Sequence, residues 1–349
     1  MNVPVCVAAM RLTRGTMARP SLCMLPLLAM LVVTLGGHST SSAPIARTIK
    51  VSKDGTGDAT TIQAAINVVP DNNGQWIQIQ VSPGIYWEKV TIPPSKTYVY
   101  LQGSSRDTTV IAYDDHESTN TSPTFSLLAN NFVAKDITFK NAYLTMEGYK
   151  GSPLVPAVAI DIHGDKAAFY SCGFIGLQDT IFDAVGLHYF YNCYIEGMVD
   201  FIWGCGQSFY QECTINVLLG TYVGPGYAYG YITAQGLQAA DDPSGFVFSH
   251  CRVVGDTFKA YLGRAYREYA RVLFIESNFA DVIVPQGWDA WRATGKESNL
   301  VNVEADCTGP GADLSRRAEW VLSSSYPDLN KYSTVAYVNQ WNWLGEIPV

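Results

Sequence analysis

Short apolar runs separated by Gly, Asn and Asp turns recur along most of the chain. They include Trp76–Val81, Tyr98–Gln102, Phe132–Phe139, Ala167–Phe174, Tyr189–Ile195, Phe209–Ile215, Phe246–Val253 and Arg271–Phe279. Their length and their β-branched and aromatic content predict strands. Cysteines 172, 193, 213 and 251 sit in the same local register, so the marked copies step by 21, 20 and 38 residues. A step near 20 with no helical pattern between strands is too short for helical crossovers. It predicts an all-β chain wound as a parallel β-helix, each coil burying its inward residues on its neighbours. An antiparallel sandwich also has many short strands, but the matching cysteine registers weigh against it.

The ends of this coil have their own patterns. Ile49-Lys50-Val51 predicts a short first strand, followed by the turn-rich Lys53–Gly57. Thr60 and Gln63 have capping-box spacing, Ile62, Ala65, Ile66 and Val69 recur at helical intervals, and Pro70 stops the run. One short N-terminal helix capping the coil is expected. Residues 312–330 look partly helical, which predicts peripheral C-terminal helices on the outside.

Composition separates the first 43 residues from the rest. Arg11, Arg14 and Arg19 precede the apolar run Leu22–Leu35, with no acidic residue up to Ala43. This pattern predicts a secretory signal peptide over 1–43 with its cleavage site open, an uncleaved anchor being the alternative. Residues 44–349 are then the catalytic domain. Without the leader, 20 basic residues face 31 acidic ones, a net charge near −11. That charge excludes nucleic-acid and anionic-membrane surfaces as natural partners, and it repels polyanions in general. Six cysteines remain, either as an internal stack of thiols or partly bridged. No Cys/His spacing suggests a metal, and Asn120-Thr121-Ser122 is the one glycosylation sequon.

The candidate chemistry lies in two of the marked copies. Asp179 and Asp200 each stand seven residues past their copy's cysteine. In stacked coils this puts the carboxyl groups about one strand spacing apart, roughly 5 Å. Two carboxylates that close have pKa values driven apart, leaving one proton carrier and one charged nucleophile or base. Single aspartates commonly end strands and bind turn amides; the matched register and the adjacent amide of Gln178 favour a catalytic role. Arg264, in Leu262-Gly263-Arg264, is the candidate cation for holding one carboxylate ionised.

These segments resemble the plant pectin methylesterases (pectinesterases), over roughly residues 48–347. Gly84-Ile85-Tyr86-Trp87-Glu88 is similar to the family's GxYxE, Gly176–Thr180 to GxQDT, and Asp200–Gly204 to DFIFG with Trp203 in place of a phenylalanine. Leu262–Arg264 opens the family's LGRPW, and Thr233-Ala234-Gln235 and Gly287–Trp291 resemble further segments. The resemblance implies a right-handed parallel β-helix. It also implies Asp200 as nucleophile, Asp179 as general acid and then base, Gln178 as an oxyanion donor and Arg264 orienting Asp200. Phe201, Tyr266 and Trp288 are the implied substrate-binding aromatics, whereas Trp291, Tyr86 and Glu88 read as structural. Tyr222, Tyr227, Tyr229 and Tyr231 belong to a Gly/Tyr-rich loop, 220–236, that is a candidate groove rim.

By the same resemblance the substrate is methyl-esterified pectin in the plant cell wall and no cofactor is needed. The chain is a monomer of the short form, without an inhibitor-like pro-region, and an inhibitor protein is a further partner. Two departures stand out. Pro156 occupies the place of a family glutamine that supplies a second oxyanion donor, and proline has neither side-chain amide nor N–H. This motivates the alternative of a catalytically impaired pectin-binding protein of the cell wall. Ala265-Tyr266 replaces the family's Pro-Trp, leaving a smaller ring.

Overall fold

A computed structural model describes residues 42–116, 118–143, 154–218, 228–256 and 258–349. The expected signal peptide, Tyr222 and Tyr227 lie outside these residues, apart from the last two leader positions. The described chain is a right-handed parallel β-helix. Its coils build three parallel sheets of ten, eight and eight strands: eight coils give one strand to each sheet, and Ile45–Val51 and Val301–Ala305 add the two end strands of the first. Every paired strand runs parallel to its partner, so the antiparallel sandwich is not the fold.

Several runs that read as single strands are two strands meeting at a corner. Ala167–Tyr170 and Gly173–Ile175 belong to different sheets, as do Leu187–Tyr191 and Tyr194–Gly197. The corner is one left-handed residue: Ser171, Asn192, Glu212, His250 and Glu276 all have φ between 48° and 55°. The next residue turns inward. Cys172, Cys193, Cys213 and Cys251 therefore stack inside the coil, all buried and all free thiols. Unbridged stacking is the outcome of the two cysteine alternatives for these four.

Beside the thiols runs an aromatic ladder. Phe169 pairs in register with Phe190, Phe190 with Tyr210, Tyr210 with Phe248 and Phe248 with Phe274. Successive rings are stacked at 4.8, 4.2, 4.6 and 4.5 Å between centroids. Identical steps thus align identical side chains, and each coil completes the hydrophobic face of the last.

The capping helix is Ile62–Asn67, with Thr61 rather than Thr60 at its N-cap, accepting from the Ala64 N–H. Glu88 takes the N–H groups of Ile62 and Gln63, so the GxYxE glutamate is structural. Tyr86 is buried with its hydroxyl donating to Ser82 O. The C-terminal segment forms short 3-10 turns instead of α-helices, from Pro310–Ala312 to Gln340–Glu346. Tyr332, Tyr337, Val338, Trp343 and Ile347 cover the outer face of the ten-stranded sheet, packing on Trp76, Tyr100, Tyr189 and Phe209.

Candidate active site

Five consecutive strands of one eight-stranded sheet carry the candidate residues: Ile181–Asp183, Val199–Gly204, Gly230–Gln235, Ala260–Arg264 and Trp288–Asp289. Gln178 bridges to Val199 and Ile181 pairs with Ile202. The same offset faces Asp179 with Asp200 in adjacent coils, one strand spacing (about 4.8 Å) apart. Both aspartates have left-handed backbone, φ 61° and 49°. At Asp200 the cause is an irregularity in the pairing of 199–204 with 230–235, between Val199 and Ile202. An extra residue in one strand re-aims its side chains.

That irregularity separates Asp200 from Phe201. Phe201 is fully buried in the coil interior, resting on Gly197, where even a Cβ would come within 2.2 Å of the phenylalanine. Trp288 is also interior: its ring lies against Phe274 and its indole N–H donates to Glu304 at 2.9 Å, a carboxylate already paired with Arg317. Two of the three expected substrate aromatics are therefore core residues. Tyr266 alone of that set is partly exposed at the site.

Arg264 meets Asp200 in a two-pronged contact, Nε to Oδ1 at 2.7 Å and Nη2 to Oδ2 at 2.6 Å, with both side chains only 12–13% exposed. The guanidinium is sandwiched between rings, 4.2 Å from the Tyr231 centroid and 4.0 Å from that of Trp291. Gly263 makes room for this strand, since a Cβ there would meet Thr233 Oγ1 at 2.1 Å. Asp289 accepts the Trp291 N–H at 2.8 Å and fixes one side of the clamp.

Electrostatics divide the two carboxyl groups. Burial and then the neighbouring Asp200 charge push Asp179 well above the carboxylate range, against smaller opposing effects of Arg264 and Gln178. Burial, with the charge of Asp289, also leaves Asp200 raised, but the hydrogen bonds and charge of Arg264, and the charge of Arg292, pull it part of the way back. The pair therefore titrates apart, Asp179 being the group that retains a proton. Gln178 lies beside them with its side-chain oxygen buried and unpartnered. Pro156 precedes Ala157, whose N–H bonds Gln178 O at 3.2 Å, so the segment with the missing glutamine runs alongside Gln178.

Aromatic residues pack behind the site, with Tyr266 partly exposed. Phe182 and Trp203, paired by the same register as the aspartates, stack at 3.8 Å and 4°. Tyr266 meets Trp203 edge-on at 6.3 Å and Trp291 at 5.8 Å. Sequence reading missed Trp291, assigned to structure, and Tyr231, assigned to a loop that is in part the strand Gly230–Gln235. The Phe182–Trp203 stack was available to it: both follow their aspartate by three positions.

Residues 48–340 match the sequence model of the pectinesterase family. The chain is 48% identical over 301 residues to "Probable pectinesterase 55" of Arabidopsis thaliana, covering 86% of this chain and 90% of that one. It is equally identical to "Probable pectinesterase 29" of the same plant, covering 89% of the relative. Among solved structures, the pectin methylesterase from carrot superposes with a TM-score of 0.78 at 28% identity, over 87% of this chain and 97% of the other. The enzyme from Aspergillus niger gives 0.72 at 27%, over 88% and 98%.

Proposed function

This chain belongs to the pectinesterase family, and we propose that it removes methyl esters from homogalacturonan through Asp200 as nucleophile and Asp179 as acid and base. The observation that carries the proposal is the in-register carboxyl pair, one member clamped by a two-pronged arginine and the other driven toward its protonated form.

Ionised Asp200 attacks the C6 ester carbonyl of a galacturonosyl unit, and the Gln178 amide donates to the oxygen that gains charge. Collapse of the tetrahedral intermediate breaks the bond to the methoxy oxygen, which takes the Asp179 proton and leaves as methanol. Asp179, now a carboxylate, accepts a proton from water as that water attacks the acyl-enzyme. Collapse frees Asp200, and the product carboxylic acid ionises, so each turnover releases one methanol and one proton. Tyr266, partly exposed and packed against the buried Phe182–Trp203 stack, is the surface for a sugar ring. The leader pattern, the exposed Asn120 and the substrate support a secreted, glycosylated protein of the plant cell wall. An inhibitor protein is a partner suggested by family resemblance alone.

Pro156 favours a second reading, a pectin-binding protein with little catalysis, because losing one oxyanion donor typically lowers rate by about 10²–10³. Methanol release from highly methylated pectin separates the two. Release by the mature chain and none by Asp200→Ala supports the esterase. Pectin binding without release by either supports the impaired form.

A further inference from the structure

A hollow of about 720 Å³ lies on the outer face of the other eight-stranded sheet and shares no residue with the carboxyl site. Its floor is five adjacent strands: Gly84–Trp87, Thr109–Tyr113, Thr138–Asn141, Gly173–Ile175 and Tyr194–Gly197. Outward positions align in two rows. Ile85, Val110, Thr138, Gly173 and Tyr194 form the first, and Trp87, Ala112, Lys140 and Ile175 the second. Four strand spacings make the first row about 19 Å long. Gly173 keeps the floor low, because a Cβ there would meet Thr138 Oγ1 at 2.2 Å.

Two features single out this face. Ile85 and Trp87 are 59% and 55% exposed, and the Trp87 ring leans on Tyr113 at 5.9 Å between centroids. An exposed apolar patch with a charged rim marks a binding surface. The charge here is cationic. Arg106 is held over the corner of the coil by donating from Nη1 to Asn192 O at 2.9 Å, and Lys140 is half-buried in the floor. Among the described residues, neither forms an ion pair. Asp107, the one acid of the lining, is exposed, and Glu196 beyond it accepts the Tyr194 hydroxyl. In a chain with 31 acidic against 23 basic residues, two unpaired cations beside one apolar floor reverse the local sign.

We propose that this face is a second, non-catalytic binding site for a partly esterified galacturonan chain. An extended polymer lies across the strands, whose spacing is comparable with the rise of one sugar unit. Methyl esters and sugar C–H faces rest on Ile85, Val110 and Ile175, and one ring stacks on Trp87. Free carboxylates reach Lys140 and the open edge of Arg106. The polymer's identity rests on the homogalacturonan reading; the floor and its cations do not. A chain held here keeps further esters near the catalytic sheet at high effective concentration.

The test titrates partly esterified hexagalacturonate by calorimetry into Asp200→Ala, which leaves the probe intact. The same protein is compared after adding Trp87→Ala, Lys140→Gln or, as a charge control on an exposed residue elsewhere, Arg316→Gln. The second site predicts two binding events in Asp200→Ala and in the control. One event weakens roughly tenfold with Trp87→Ala and with Lys140→Gln, and it weakens with salt. Identical isotherms in all four proteins, or equal loss in the control, overturn it. Methanol release by the single variants Trp87→Ala and Lys140→Gln gives a second readout. On methyl-esterified trigalacturonate, too short to reach both faces, kcat/KM stays at the wild-type value, while on long pectin KM rises several-fold at unchanged kcat. An unchanged KM on pectin, or equal loss on the trimer, overturns the site. So does a wild type that sediments as a dimer while Trp87→Ala is a monomer with unaltered pectin binding, which makes the face a protein interface. Two binding events of which Trp87→Ala weakens one, with no methanol released by wild type, support the site and sink only the esterase reading.

Discussion

Replacing Tyr231 by leucine removes one face of the sandwich around Arg264 and leaves every catalytic group in place. The guanidinium lies 4.2 Å from that ring and 4.0 Å from Trp291, with its side chain 13% exposed. A cation over an aromatic face is worth about 1 kcal/mol when exposed and 2 or more when desolvated. Loss of one face of a nearly buried cation should therefore cost about 1–2 kcal/mol in holding the arginine against Asp200. At about 1.4 kcal/mol per tenfold, kcat falls roughly 5- to 30-fold while KM stays near wild type. The pH dependence has a definite sign. Arg264 lowers the Asp200 pKa, so a looser Arg264 lets it rise, and the acid limb of kcat moves to higher pH by up to about one unit. Tyr231→Phe keeps the ring and should keep both rate and limb. Methanol release across pH for the two variants decides it. Wild-type kcat and limb in Tyr231→Leu, or equal damage in Tyr231→Phe, would refute the clamp.

Other outcomes follow from single sites. Pro156→Gln restores an amide beside Gln178 and should raise kcat about tenfold or more; an unchanged rate would show that no donor is missing. His188 is buried between Asp183, at 2.5 Å from Nδ1, and Gly164 O, at 3.0 Å from Nε2. Burial opposes its charge, but Asp183 and the carbonyl outweigh that and raise its pKa above 6.5. The stability it contributes is then fully present below pH 6.5 and lost as pH rises through the raised folded value. Asp183→Asn should cost about 3 kcal/mol or more in acid and flatten this slope, and parallel plots of Tm against pH for the two proteins would contradict it. Cys172, Cys193, Cys213 and Cys251 are all at most 1% exposed, so a thiol reagent should label them only after denaturation; labelling of the native protein at these positions would contradict the internal stack.

Much of this molecule was legible in the chain because a β-helix repeats its register. The spacing of Cys172 and Cys193 carried over to Asp179 and Asp200 without knowledge of any sheet, and it carried Phe182 and Trp203 as well. Corners were harder to read. One left-handed residue such as Ser171 or Asn192 turns the chain without breaking the apolar run, so two strands looked like one. Phe201 was misassigned for a related reason: local strand sequence gives no inward or outward sense where an irregularity shifts the register. Trp288 pairs in regular register with Gly263, and its inward sense follows from the coil it closes. The partners of Arg264 come from strands 230–235 and the turn after 288–289, far away in sequence. Only the closing of successive coils brings Tyr231 and Trp291 to opposite faces of one guanidinium. The short 3-10 turns at the C-terminus lack the length that makes helical periodicity readable.

The most direct test of the paired-carboxylate account is methanol release by wild type, Asp200→Asn and Asp179→Asn side by side on highly methylated pectin, with folding and pectin binding verified for each. The account predicts turnover by wild type, none detectable from Asp200→Asn, and a rate lowered at least about 10²-fold in Asp179→Asn. Turnover by Asp200→Asn at the wild-type rate would contradict it.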